Sequence, residues 1–276
     1  MLVVERRPEL RDPVLVVALS GWVDAGLAGA GAVAYLVEQL QTIKRFGHID
    51  LSDVMDLQQV RPTVRLLDGV TRTIEWPTVQ LVAGSAGRDL VVVYGPEPST
   101  RWRTITDEIV GLARELGVGM AVTLGGIPTP MSHRRPIRVL ATATRHSLLQ
   151  EVGGSRPDYN GPTGLQTVLQ VALGDAGIPA VGLWAQVPHY VSTTASPAAA
   201  RALLERLRDV AGVSIDLGPL DAQVDAYRER LEESISERPD VAEIVQQLEA
   251  NEDQVPNGED LVSEIERFLR QGPDQD

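Results

Sequence analysis

Six short apolar runs punctuate the chain: VLVVAL (14 to 19), TVQLVA (78 to 83), LVVVY (90 to 94), GMAVTL (119 to 124), IRVLATA (137 to 143) and AVGLWAQV (180 to 187). All are rich in valine and bounded by Gly or Pro, the pattern of strands buried on both faces. Between several of them lie segments of helical character, at 25 to 41, 100 to 116, 163 to 175 and 197 to 211. Strands alternating with helices predict a mostly parallel sheet covered on both faces. The alternation breaks once, in RLLDGVTRTIEWPTVQLVAGSAGRDLVVVY (65 to 94). Asp68-Gly69 and Ala86-Gly87 leave no room for a helix there, so consecutive antiparallel strands joined by tight turns are predicted and the sheet becomes mixed.

From Asp221 onward the pattern is helical only: DAQVDAYRERLEESISER, PDVAEIVQQLEANE and GEDLVSEIERFLRQ, broken at Pro239 and at Pro256-Asn257-Gly258. The expected organisation is an α/β core domain over residues 1 to 220, a helical appendage of two or three amphipathic helices over 221 to 270, and a disordered tail over 271 to 276. There is no internal repeat.

Charge sharpens that division. The net charge of -13 is concentrated in residues 221 to 276, which carry 17 acids and 5 bases, while the body is close to neutral. An acidic end without a basic stripe argues against nucleic acid and anionic membrane as partners. Zero cysteines exclude disulfides, thiolate nucleophiles and thiolate metal sites. Only Lys44 among the 25 basic residues is a lysine, and it does not follow a Gly-rich loop, so Walker-type phosphate chemistry is absent. No apolar stretch approaches the length of a spanning helix, and MLVVERRPELRDP has no export signal, so the expected location is the cytoplasm.

Five stretches could carry chemistry. In SGWVDAGLAGAGAVAYL, Asp24 stands at an expected helix N-cap with the helix running from Ala25. The glycines miss the G-x-G-x-x-G order, and Gly29 and Gly31 inside the helix, at about 1 kcal/mol each relative to Ala, should be offset by close packing on the sheet or a neighbouring helix. In YGPEPSTRW, Glu97 and Arg101 are near enough to pair, as a surface feature or as the lining of a cleft. In TLGGIPTPMSHRRP, the Gly125 and Gly126 amides, with Thr129, Arg134 and Arg135, are candidates for an anion cradle, and His133 is of a residue type that can titrate near neutrality. The alternative is that Pro128, Pro130 and Pro136 simply fix a rigid surface, and this carries more weight. In PDYNGPTGLQTVLQVAL, Asn160-Gly161 is a turn, Thr163 lies at a helix mouth, and the free amides there suit a phosphate or carboxylate as well as plain packing. In VPHYVSTTASP, His189 and Tyr190 leave a strand. Ser85 lies between two strands rather than at a strand-to-helix elbow, which removes a serine-hydrolase reading. Histidines 48, 133, 146 and 189 have no metal-ligand spacing, and neither a catalytic set nor a cofactor site is evident.

Taken in order, GWVDAG (21 to 26), YGPEPSTRW (94 to 102), TLGGIPTP (123 to 130), YNGPTG (159 to 164) and VPHYV (187 to 191) resemble the proteasome assembly chaperone family, PAC2-like, in its actinobacterial branch. The resemblance implies a three-layer α/β/α fold with a phosphorylase-like core, a closed homo-oligomer with a trimer as the expected size, and proteasome subunits as partners. It departs from the family at the end: some members finish in a hydrophobic-Tyr-any-residue docking motif, whereas this chain finishes Pro273-Asp274-Gln275-Asp276. Two functions stand side by side. One is a non-enzymatic assembly factor. The other is a binder or enzyme for phosphate or a nucleoside, using a cleft at the strand ends around Asp24, Gly125, Arg134, Arg135, Asn160 and Thr163.

Overall fold

In the computed structural model, residues 1 to 153 and 159 to 252 are described. The third helix of the appendage, the break at Pro256-Asn257-Gly258 and the tail over 271 to 276 lie outside the described residues.

The strands are β1 (Leu2–Val4), β2 (Val14–Ser20), β3 (Gln41–Asp50), β4 (Thr63–Leu67), β5 (Val70–Glu75), β6 (Thr78–Ser85), β7 (Asp89–Pro96), β8 (Met120–Thr129), β9 (Val139–Ala143) and β10 (Ala180–Pro188). The helices are α1 (Ala28–Gln39), α2 (Trp102–Glu115), α3 (His146–Val152), α4 (Leu165–Asp175), α5 (Pro197–Ala211), α6 (Gly218–Ser236) and α7 (Pro239–Glu252). Eight strands form one sheet in the order β1-β3-β6-β7-β2-β8-β10-β9. The centre, β7-β2-β8-β10, is parallel, and the pairs outside it are antiparallel, so the sheet is mixed around a parallel core.

Alternation along β2 fills the two helical layers. Val14, Val16 and Ala18 pack with α1 and α5, whereas Leu15, Val17 and Leu19 pack with α2 and α4. Gly29 of α1 lies where close packing needs it, since a Cβ there would run into the Leu124 carbonyl, whereas one on Gly31 would meet Ala200 of α5 at 3.4 Å, an ordinary contact. Helix α5 follows its local signals: Ser196 accepts from the Ala199 N–H at 3.2 Å, Pro197 opens the first turn, and Gly212 closes the helix with φ 64°.

Strands β4 and β5 leave the sheet and pair only with each other. Asp68 and Gly69 both adopt positive φ, 52° and 73°, the geometry of the tight hairpin turn. Every residue of both strands is exposed.

The appendage is joined to the body in two ways. The first half of α6 extends the main core through Leu220, while Ile235, Val241 and Val245 form a small separate cluster with Tyr190 at its edge.

Candidate functional site

Open α/β sheets bind ligands where strand connections reverse direction, outside the carboxyl ends of the strands. Here that point lies between β2 and β8. Their pairing stops at Val17 and Thr123; beyond it β2 follows β7, and β8 follows β10 as far as Thr129. The chain fills the opening itself. Asp24 forms a parallel bridge with Gly126, whose N–H donates to the Val23 carbonyl at 3.0 Å. The Gln166 amide satisfies its surroundings when its nitrogen faces the sheet, where it donates to the Leu124 carbonyl at 3.0 Å and the Val17 carbonyl at 3.1 Å; this orientation is assigned from the hydrogen-bond pattern.

This overturns the loop reading of Gly125 and Gly126. Both are buried in β8 and paired with β10, and they are glycines because the chain over 23 to 25 crosses them. A Cβ on Gly125 would stand 2.6 Å from the Val23 carbonyl and 2.7 Å from the Trp184 ring, and one on Gly126 would meet the Ala25 carbonyl. Thr129 ends the strand buried, its hydroxyl donating to the Val187 carbonyl at 3.3 Å.

The sites expected to welcome an anion already hold the protein's own carboxylates. At α1, the helix starts at Ala28 rather than Ala25, because residues Ala25–Leu27 form a 3-10 turn with Gly26 and Leu27 in the left-handed region. Asp24 still caps it: one oxygen accepts from the Gly29 N–H at 2.6 Å and the other from Ala30 at 3.3 Å. Burial pushes the Asp24 pKa up to about 6 against the pull of those two amides. At α4, which starts at Leu165, the free amides of the helix mouth are met by Glu97, whose carboxylate accepts from the Leu165 N–H at 2.6 Å. Burial raises the pKa of Glu97, opposed by the amides of Leu165 and Trp22. Glu97 therefore turns away from the ion pair with Arg101, which is exposed.

Arg134 is the third such site. Its guanidinium bonds Glu232 of α6 through two nitrogens, at 2.7 and 2.9 Å, and Glu249 of α7 at 3.1 Å. The neighbours on both sides join in. The Ser132 hydroxyl donates to Glu249 at 3.0 Å, and buried His133 lies between the Tyr190 hydroxyl at 2.7 Å and Glu232 at 3.1 Å. The Arg134 bonds hold the Glu232 pKa down at about 2, and burial pushes Tyr190 up to about 12. The arginine thus faces the appendage and anchors two of its helices. Glu232 and Glu249 had no distinguishing mark among the many acids of the tail, and they lie 98 and 115 residues from their partner.

The remaining candidates are exposed, although Gly164, just ahead of α4, adjoins Glu97 and Val23. Arg135 is exposed, its N–H donating to the Ser132 carbonyl at 3.1 Å, and Asn160, Gly161 and Thr163 are exposed ahead of α4. A groove of about 660 Å³ lies at the opposite ends of β8 and β10, bordered by Arg145, Glu151, Arg206 and Asp209. No cluster of three or more His, Asp or Glu suited to a metal occurs among the described residues, and no helix among them is long and apolar enough to cross a membrane.

The PAC2 family model matches residues 18 to 235. The chain belongs to the PAC2 family. Among solved structures it is similar to a PAC2 family protein from Streptomyces avermitilis (42% identity, TM-score 0.77, covering 85% of this chain and 100% of that one). It is similar too to a proteasome-assembly chaperone homologue from Mycobacterium tuberculosis (39%, TM-score 0.77, 84% and 99%). A second M. tuberculosis protein, of unknown function, matches across the appendage as well (28%, TM-score 0.87, 98% and 96%). No curated protein matches the chain significantly. For this PAC2 chain, inorganic phosphate is expected to shift the melting temperature no more than chloride at equal ionic strength, and Arg134→Ala should leave that response unchanged. A phosphate-specific, saturable stabilisation lost in Arg134→Ala would show that the glutamates yield the site.

Proposed function

We propose that this chain is a non-enzymatic, cytoplasmic, homo-oligomeric factor that assists proteasome core-particle assembly. Family membership and the similarity to a proteasome-assembly chaperone homologue support the partner. The observation that supports the non-enzymatic part is that the protein's own carboxylates occupy the expected anion positions: Asp24 at the start of α1, Glu97 at the mouth of α4, and Glu232 and Glu249 on Arg134.

Self-association is supported by the hairpin of β4 and β5. Val64, Leu66, Leu67, Val70, Ile74 and neighbouring Trp76 are each more than half exposed, on an arm that the body does not cover. Clustered apolar side chains of this size mark contact surfaces on soluble proteins, and closed symmetric rings are the common way to satisfy such a surface. A trimer is the expected size.

The test combines light scattering with co-elution. A mass well above 29.8 kDa at micromolar concentration, together with co-elution with free proteasome α or β subunits of the same organism, is the expected result. A monomer would remove the oligomeric part of the proposal. Failure to co-elute with either subunit class would remove the proteasome part.

A further inference from the structure

The second half of α6 and the whole of α7 rest on a small base. Leu217 and Leu220 belong to the main core, but among the described residues the buried apolar cluster farther along is Ile235, Val241 and Val245. Among the described residues, apart from the packing of Tyr190 on that cluster, the ties to the body are polar: Ser132 to Glu249, His133 to Glu232, and Arg134 to both glutamates. Three consecutive residues of one loop therefore fasten two helices.

His133 is the member of this set whose free side chain changes charge near neutral pH. Burial in these surroundings favours the neutral ring. The Tyr190 oxygen accepts from the His133 backbone N–H at 2.8 Å, so the Tyr190 proton is directed to Nδ1 at 2.7 Å, and Nε2–H donates to Glu232 at 3.1 Å. The neutral ring satisfies each of these bonds. A second proton, on Nδ1, would make the Tyr190 oxygen a double acceptor and oblige its own hydrogen to turn away, inside a site where the His133 side chain is 3% exposed.

The charged groups around the ring act in both directions. Glu232 on α6 and Glu249 on α7 attract a proton, and adjacent Arg134 repels it. Tyr190 contacts the ring, and Tyr227 of α6 stands beside Tyr190. Glu232 is already held by the two nitrogens of Arg134, which limits what a charged imidazole gains from it. Burial is the largest influence and lowers the His133 pKa below its usual 6.5.

We propose that Ser132-His133-Arg134 is an acid-released latch: when His133 takes up a proton, the second half of α6 and α7 come off the body and uncover Tyr190 and the Ile235–Val241–Val245 cluster. The sign follows from linkage. A histidine with a lowered pKa in the closed form favours closure above the free value, and closure weakens as pH falls below about 6.5 because the open form binds the proton better. At pH 5.5 a free imidazole of pKa about 6.5 is roughly tenfold more protonated than neutral, which sets a ceiling of about tenfold on the increase in opening.

Hydrogen exchange on the full chain tests this, whatever its partner or oligomeric state. After correction for intrinsic exchange rates, protection of amides 231 to 249 is expected to fall severalfold, up to about tenfold, between pH 7.5 and 5.5, while the amides of β2 and β8 do not fall. His133→Gln keeps a donor toward Glu232 and an acceptor toward Tyr190 but cannot titrate, so this fall should vanish. The same fall in His133→Gln, or none in the unmodified chain, overturns the latch. An NMR titration of His133 in the unmodified chain decides the matter if the variant folds poorly: a midpoint below 6.5 that tracks the loss of protection is expected, and one at or above 6.5 overturns it.

Discussion

Gly125→Ala is expected to cost at least about 3 kcal/mol, the upper part of the range for forcing atoms into a packed core. The methyl would enter at 2.6 Å from the Val23 carbonyl and at 2.7 and 2.8 Å from two carbons of Trp184. None of these is the free end of a flexible side chain. Val23 is fixed by the Gly126 N–H, and the Trp184 indole nitrogen is engaged with Thr142 at 3.2 Å. At roughly 2–4 °C per kcal/mol for a domain of this size, the melting temperature should drop by about 6 °C or more, and expression as insoluble protein is the extreme outcome. Gly111→Ala is the matched control. Gly111 is an exposed glycine within α2 with nothing within 4 Å of its missing Cβ, so alanine there should stabilise by up to about 1 kcal/mol. If Gly125→Ala melted like the unmodified chain, the close crossing of residues 23 to 25 over β8 would be wrong, and the two glycines would again be available to a ligand.

That crossing also explains where the sequence was legible and where it was not. The valine runs at 14 to 19, 90 to 94 and 180 to 187 lie within β2, β7 and β10, because a strand buried on both faces needs apolar residues at every position. The helix over 197 to 211 and the hairpin at Asp68-Gly69 followed from residues that act within a few positions of themselves. Strand β8 was read five residues short. Gly125, Gly126 and Pro128 look like breakers, yet the glycines admit a neighbouring backbone and Pro128 stands where β8 pairs with β10 alone, away from the splayed β2. Strand β3 was missed because its exposed first half, QTIKR, has no apolar alternation. The site was less legible still. Asp24 as a helix cap was a local inference and holds, but the partners of Glu97 and Arg134 come from elements 68 to 115 residues away, where an acid or an amide has no sequence mark of its role. Composition located the charge of the tail correctly without revealing that two of its glutamates face inward to one arginine.

Asp24 gives the second large effect, with a dependence on pH. Asp24→Ala leaves the Gly29 N–H, and less severely that of Ala30, without an acceptor at a buried helix start; the unpaired group and lost cap together should cost about 2–3 kcal/mol. Part of that loss is offset at neutral pH, because the carboxylate is itself held there against burial. A pKa moved from 3.8 to about 6 corresponds to roughly 3 kcal/mol between the protonated and ionised forms. The folded-state value lies above the unfolded one, so the folded protein holds the proton more tightly. The contribution of Asp24 is full below about pH 4 and is lost as pH rises through 6. Asp24→Asn separates the two effects. Its amide oxygen still accepts from Gly29, it gives up the longer contact with Ala30, and it carries no charge to bury. Urea unfolding at pH 4.5, 6 and 7.5 should therefore place Asp24→Asn at or below the unmodified chain in acid and at or above it at pH 7.5, with the difference closing and reversing between them. A constant difference across the three pH values would mean that Asp24 is ionised throughout and that its two amide bonds, rather than burial, set its charge. A carboxylate with a pKa near neutrality is a common mark of an acid–base residue, but here the raised value arises in a seam between a helix start and a strand crossing, where Asp24 is 4% exposed and both its oxygens are taken up by the amides of α1.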